Sequence, residues 1–170
     1  MFANSRELLR DAAISGNPWT ASLHLRVEPP AELTEREWEA LSRHTGLLIL
    51  AGVKALSEGQ SASLGQQIGN LSLPDLQTLD DVVAKNLARH RKHLSLDGLS
   101  ALSDNQAAAL AGHNGQLSLS GIQAFTRRQL ECLAQLPHPL TLNGLRFLTP
   151  QECHILSAHR NSLALWHYVA

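Results

Sequence analysis

Leucine recurs along this chain with a period of 23 residues, and the polar positions keep the same step. Units begin at Leu33, Leu56, Leu79, Leu102, Phe125 and Leu148, and the fourth reads LSDNQAAALAGHNGQLSLSGIQA. Position nine is leucine in every unit, from Leu41 to Leu156. Position sixteen runs unbroken from Leu48 to Leu163, and position eighteen from Leu50 to Leu165, with Ile49 and Ala164 among the residues between. A fixed period of this length is the signature of a repeat architecture, in which one supersecondary unit buries its apolar face on its neighbours.

Within each unit the hydrophobic period changes once. The second position is a helix N-cap type throughout: Thr34, Ser57, Asp80, Ser103, Thr126 and Thr149. Three residues later Glu37, Gln60, Gln106, Gln129 and Glu152 complete a capping box, which unit three breaks with Val83. Pro150 falls at the first helical position, where its missing N–H costs nothing. Apolar or small residues at positions six, nine and ten, as in Ala107, Leu110 and Ala111, then form a helical stripe over about ten residues. Gly46, Gly69 and Gly115 follow the helix where a left-handed C-terminal residue is expected.

Next comes an alternation such as Leu117, Ser118, Leu119, which predicts a short strand with leucines inward and hydroxyls outward. Gly52, Gly98, Gly121 and Gly144 bend the chain after it. A strand, a helix and an equivalent strand must cross over to run parallel, and such crossovers are right-handed. The expected fold is therefore α/β, a right-handed solenoid with a parallel sheet on one face and helices on the other. Residues 33–170 form its six repeats. Residues 1–32 read as an N-terminal cap within the same domain: a helix from Asn4 or Ser5 through Ile14, then a strand in which Leu25 and Val27 fall in phase with the repeat leucines.

The leucine-x-leucine units resemble the leucine-rich repeat family, in particular bacterial tandem arrays reading LSLxGLxxLSxxxAxxLAxHxG. The resemblance spans Leu33 to Ala170. It departs from the common repeat in lacking an asparagine ladder, since the matching turn carries Val53, Leu76, Leu99, Ile122, Leu145 and Tyr168. The resemblance implies protein recognition on the strand face and transfers no catalytic residue.

Composition narrows the partners. The chain is 44% hydrophobic and 17% charged, with a net charge of -1, so it offers no overall field for phosphate backbones or anionic lipid. Neither nucleic acid nor membrane is an expected partner. The basic stretch from Arg89 to His93 falls at a helix end, where cations complement the macrodipole. No apolar run is long enough to span a bilayer and no signal peptide is evident, so a cytoplasmic protein is expected.

Four of the nine histidines, His44, His90, His113 and His159, share position twelve, where the expected role is to bond the last carbonyls of their own helix. His90, His93 and His113 lack a carboxylate or thiol that would complete a metal site. Cys132 and Cys153 read as buried thiols, and Cys153 and His154 as packing residues. Ser72, Ser95, Ser118 and Thr141 form a hydroxyl column with no acid–histidine partner. No catalytic, cofactor-binding or metal residue is assigned.

The binding candidates lie instead on the outward strand side. Asp97, Ser120 and Asn143 share one column, Arg146 stands near the turn, and Trp166 and Tyr168 lie beside the last strand. Arginine and aromatics of this kind are enriched among interface hot spots. The function these residues suggest is a protein–protein interaction scaffold. Two other readings stay open: a self-assembling repeat whose edge strand Leu163 to Leu165 pairs with a second copy, and an enzyme or metal-binding protein on the same frame.

Overall fold

The computed structural model describes residues 25–27 and 33–165. The expected cap helix, Leu23, Trp166 and Tyr168 lie outside them. The described chain alternates strand and helix without exception: β1 (Leu25–Val27), α1 (Glu35–Ser42), β2 (Leu47–Leu50), α2 (Glu58–Gly65), β3 (Asn70–Ser72), α3 (Asp81–Leu87) and β4 (Leu94–Ser95). It continues with α4 (Asp104–Leu110), β5 (Leu117–Ser118), α5 (Arg127–Leu133), β6 (Leu140–Thr141), α6 (Pro150–Leu156) and β7 (Leu163–Ala164). The seven strands form one parallel sheet in chain order. Each helix packs on the helices of adjacent units.

The register follows from the period. Leu25 pairs with Leu48, Leu48 with Leu71, and so on by steps of 23 to Leu163. A slip of one residue would turn every leucine to the wrong face, so burial fixes the pairing. Leucines from strands and helices meet in a single core. Leu64, Leu87, Leu110 and Leu133 come from the helices, and Leu71, Leu94, Leu117 and Leu140 from the strands; all of these are fully buried. Trp38, at position six of the first unit, joins them.

The caps form as the sequence dictates. Thr34, Ser57, Ser103, Thr126 and Thr149 each accept from the N–H three residues on, and the Glu or Gln at that site accepts from the cap N–H. Asp80, facing Val83, makes no such bond. The helices are shorter than the ten residues expected, at seven or eight. Their ends tighten: the position-twelve N–H donates to the position-nine carbonyl, as from His113 to Leu110 at 2.9 Å, a three-residue bond that closes the helix early.

Gly52, Gly98, Gly121 and Gly144 lie in the turns expected after the strands, but Gly46, Gly69 and Gly115 are not the left-handed helix caps expected. Among the described residues only Gly52 has a positive φ, at 79°, and the helix C-caps are right-handed. A Cβ on Gly115 would fall on the carbonyl of Lys92, and one on Gly121 on that of Asp97. Strand spacing of about 4.8 Å brings the backbone at these glycines onto the one 23 residues earlier, too close for a side-chain carbon, while other units carry Lys92, His138 or Asn161 at the Gly115 position and Asp75 at that of Gly121.

Because Leu110 is fully buried between α3 and α5, Leu110→Ala is expected to cost about 2 to 5 kcal/mol. Denaturant unfolding measures it, and an unchanged midpoint would disprove the register.

Candidate binding surface

The sequence-derived candidates gather where each strand leaves the sheet. Asp97 follows β4, and its Oδ1 accepts from the Ser118 hydroxyl at 2.6 Å and the Ser120 N–H at 2.7 Å, while Oδ2 accepts from the Ser95 hydroxyl at 2.8 Å. One carboxylate thus clamps β4 to β5. Burial pushes the Asp97 pKa up, but the hydrogen bonds from Ser118 and Ser120, with that from Ser95, outweigh it and hold the group below its ordinary value. Asp97 is a structural anion with its oxygens occupied.

The hydroxyl column lies on the side of Asp97, opposite the leucine core, but two of its members are not open to solvent: Ser95 and Ser118 are buried, both bonded to Asp97, while Ser72 and Thr141 are half-buried. Ser120 and Asn143 are half-buried, and the Asn143 Oδ1 is enclosed without a hydrogen-bond partner. Arg146 is exposed. Beside it Phe147 is 90% exposed, and the sequence reading passed it over. The signal was present: position 23 is otherwise Ala55, Thr78, Ala101 or Ala124 in the units before it. Asn143, Arg146 and Phe147 follow β6 on one turn, whereas Asp97 and Ser120 belong to the clamp.

The histidines take another role. All four at position twelve are buried, and His90, His113 and His159 reach back to the preceding unit rather than to their own helix. His90 Nε2 lies 2.9 Å from both Gly69 O and Gln67 Oε1; both are acceptors, so Nε2 carries the proton. Gln67, at position twelve of its own unit, donates through Nε2 to His44 O at 2.9 Å. His113 Nε2 donates to Lys92 O at 3.0 Å, and His159 Nδ1 to Ala134 O at 3.3 Å. The result is a buried polar ladder at the helix-to-strand turn, opposite the turn where the common repeat carries asparagines. Leu136 replaces the rung in unit five. There the half-buried His138 pairs with Asn114 instead.

The rings of His90 and His113 stack at 5.8 Å and within 3° of parallel. Burial pushes His90 down to about 4, and it lowers His113 in the same direction against the opposing effect of the Lys92 carbonyl. Both rings are neutral at pH 7, so they do not act as cations on the macrodipole. Among the described residues no three His, Cys, Asp or Glu side chains converge where a metal ion would sit.

The expected burial of the thiols does not hold either: Cys132 is half-buried and Cys153 exposed, as is His154. Position six is core in earlier units, but α6 is flanked by a helix on one side only among the described residues. Among the same residues no helix is long and apolar enough to cross a membrane. No protein-family model, curated protein or solved structure matches this chain. It is an α/β protein of repeated strand–helix units.

The depressed histidines give a pH dependence of definite sign. A group whose folded pKa lies below its unfolded one takes up its proton more readily when unfolded, so stability is complete above about 6.5 and falls as pH drops toward about 4. For His90 alone the loss is about 3 kcal/mol. Urea unfolding at neutral and acidic pH is expected to show the drop, and His90→Gln, which puts here the residue that unit two uses at Gln67, to reduce it. Equal pH slopes for the variant and the parent would rule out the ladder as their source.

Proposed function

We propose that this chain is a right-handed solenoid of leucine-rich-repeat type and that it serves as a protein-recognition scaffold. It engages its partner through the turn surface of Asn143, Arg146 and Phe147. The observation that carries this reading is the exposure of Phe147, 90%, on a turn where the other units keep small residues. An aromatic ring held in water next to an arginine is the composition of an interface hot spot. Asn143, half-buried on the same turn, borders this surface. A binding role in place of catalysis is supported by Asp97, whose oxygens are engaged by Ser95, Ser118 and Ser120.

A second reading rests on β7, which pairs with β6 along one side only among the described residues. Strand-edge pairing with a second copy would extend the sheet beyond β7. A mass that rises with concentration and reverts in Trp166→Ser would favour this homodimer over a foreign partner.

For the leading reading, affinity capture from source cells is expected to retain a protein that Phe147→Ser and Arg146→Glu each weaken by about tenfold or more, at unchanged melting temperature. A partner held equally by both variants would move the interface elsewhere.

A further inference from the structure

A groove of about 570 Å³ opens at the opposite turn of the unit, between the C-terminal ends of α2 and α3. Ile68 lines it together with Arg89, Arg91 and Lys92, and its inner wall is Gly65 and Gln67. We infer that this groove docks an acidic segment of a partner protein, which sets an aliphatic side chain on Ile68 and its carboxylates on Arg89, Arg91 and Lys92. The site goes beyond the Phe147 surface and does not depend on it.

The repeat supplies an internal control, because every unit presents the same turn and shows what the fold itself requires there. At the positions of Arg89, Arg91 and Lys92 unit two has Gln66, Ile68 and Gly69, and unit four has Gly112, Asn114 and Gly115. The fold requires no cation at any of the three. Where unit one places Arg43 at the Arg89 position, it answers it with Glu39 at 3.1 Å, one turn back on α1. Unit three places Lys85 at that site, which adds to the repulsion. No ion pair of Arg89, Arg91 or Lys92 occurs among the described residues, and no unit carries a carboxylate at positions eleven, thirteen, fourteen or fifteen. The macrodipole of α3 accounts for a cation in its last turn, but its effect falls off within that turn and does not explain Arg91 and Lys92 beyond it.

Ile68 departs from the repeat at the same place. It is 55% exposed, at a position that is otherwise Thr45, Arg91, Asn114, Pro137 or Arg160. An apolar side chain kept in water among uncompensated cations is complementary to a ligand that is apolar at its centre and anionic around it. The floor is fixed in advance: Gln67 donates to His44 O and accepts from His90 Nε2, both at 2.9 Å, and a Cβ on Gly65 would strike the Asn86 carbonyl. Preorganisation of this kind lowers the cost of binding. The lining holds no aromatic ring on which a nucleobase could stack, and the cations are confined to one groove. Both observations favour an acidic peptide over nucleic acid.

Panning a phage-displayed random peptide library on the full chain tests the assignment. Enriched sequences are expected to combine carboxylates with an aliphatic residue. A synthetic peptide of the most enriched sequence should bind about tenfold or more weakly to Ile68→Ser and to the double variant Arg91→Glu/Lys92→Glu, and equally well to Phe147→Ser. Its affinity should fall as salt is raised. All the substituted side chains are exposed, and melting curves verify the fold of each variant. The proposal is overturned by the absence of acidic enrichment, by a peptide indifferent to either groove variant, or by polyuridylate binding that needs the cations but not Ile68.

Discussion

The structure depends on how closely one turn of chain lies on the turn 23 residues before it. Parallel pairing sets the strand spacing, and at that spacing the carbonyls of one unit stand, at five glycines of the next, where a Cβ would be. Gly69, Gly98, Gly115, Gly121 and Gly144 are therefore required by the neighbouring backbone, and not by their own dihedral angles. Register, the single leucine core and the alignment of the turns all follow from this contact, because a unit that rode higher or slipped along its neighbour would lose all three at once.

Such close stacking removes water from the turns, and their polar groups then need protein partners. The chain meets the need with side chains that reach backward. Position twelve donates into the previous unit from Gln67, His90, His113 and His159, and the capping glutamines Gln106 and Gln129 serve two units at once. Gln129 accepts from the Thr126 N–H and donates to the carbonyl of Leu102. On the strand side Asp97 draws in hydroxyls from its own row and the next. A buried polar group left unpaired costs more than its hydrogen bond contributes, so these ladders specify the stack more than they strengthen it.

Much of this was legible in the sequence. The leucine columns report burial directly, and the capping boxes are local patterns that form wherever the backbone is helical, so even the failure at Val83 was readable. The histidines were less legible because their partners are carbonyls 21 or 25 residues earlier, and a side chain at a helix end has acceptors nearer in sequence that it does not use. The glycines were misread for a related reason: a left-handed cap and a close approach select the same residue. Phe147 and Ile68 were missed although each breaks its own column, since attention to what repeats hides the positions that do not. Exposure of Cys153 follows from its place on the last helix, which no periodicity expresses.

The backward-reaching bonds make each seam of the array equivalent to the next. A unit bearing a donor at position twelve and a carbonyl to accept it in its turn can follow a unit of the same kind and precede another, with that donor paired at either junction. Duplication or deletion of 23 residues would therefore preserve this ladder, while an insertion of any other length inside a unit would break it. The number of units is thus a quantity that genetic recombination can vary without re-evolving the core. The exceptions at Leu136 in position twelve, and at Glu37, Val83 and Glu152 in position five, mark where order has become fixed, because a unit with leucine, valine or glutamate in those places has given up a donor and is no longer interchangeable with the rest.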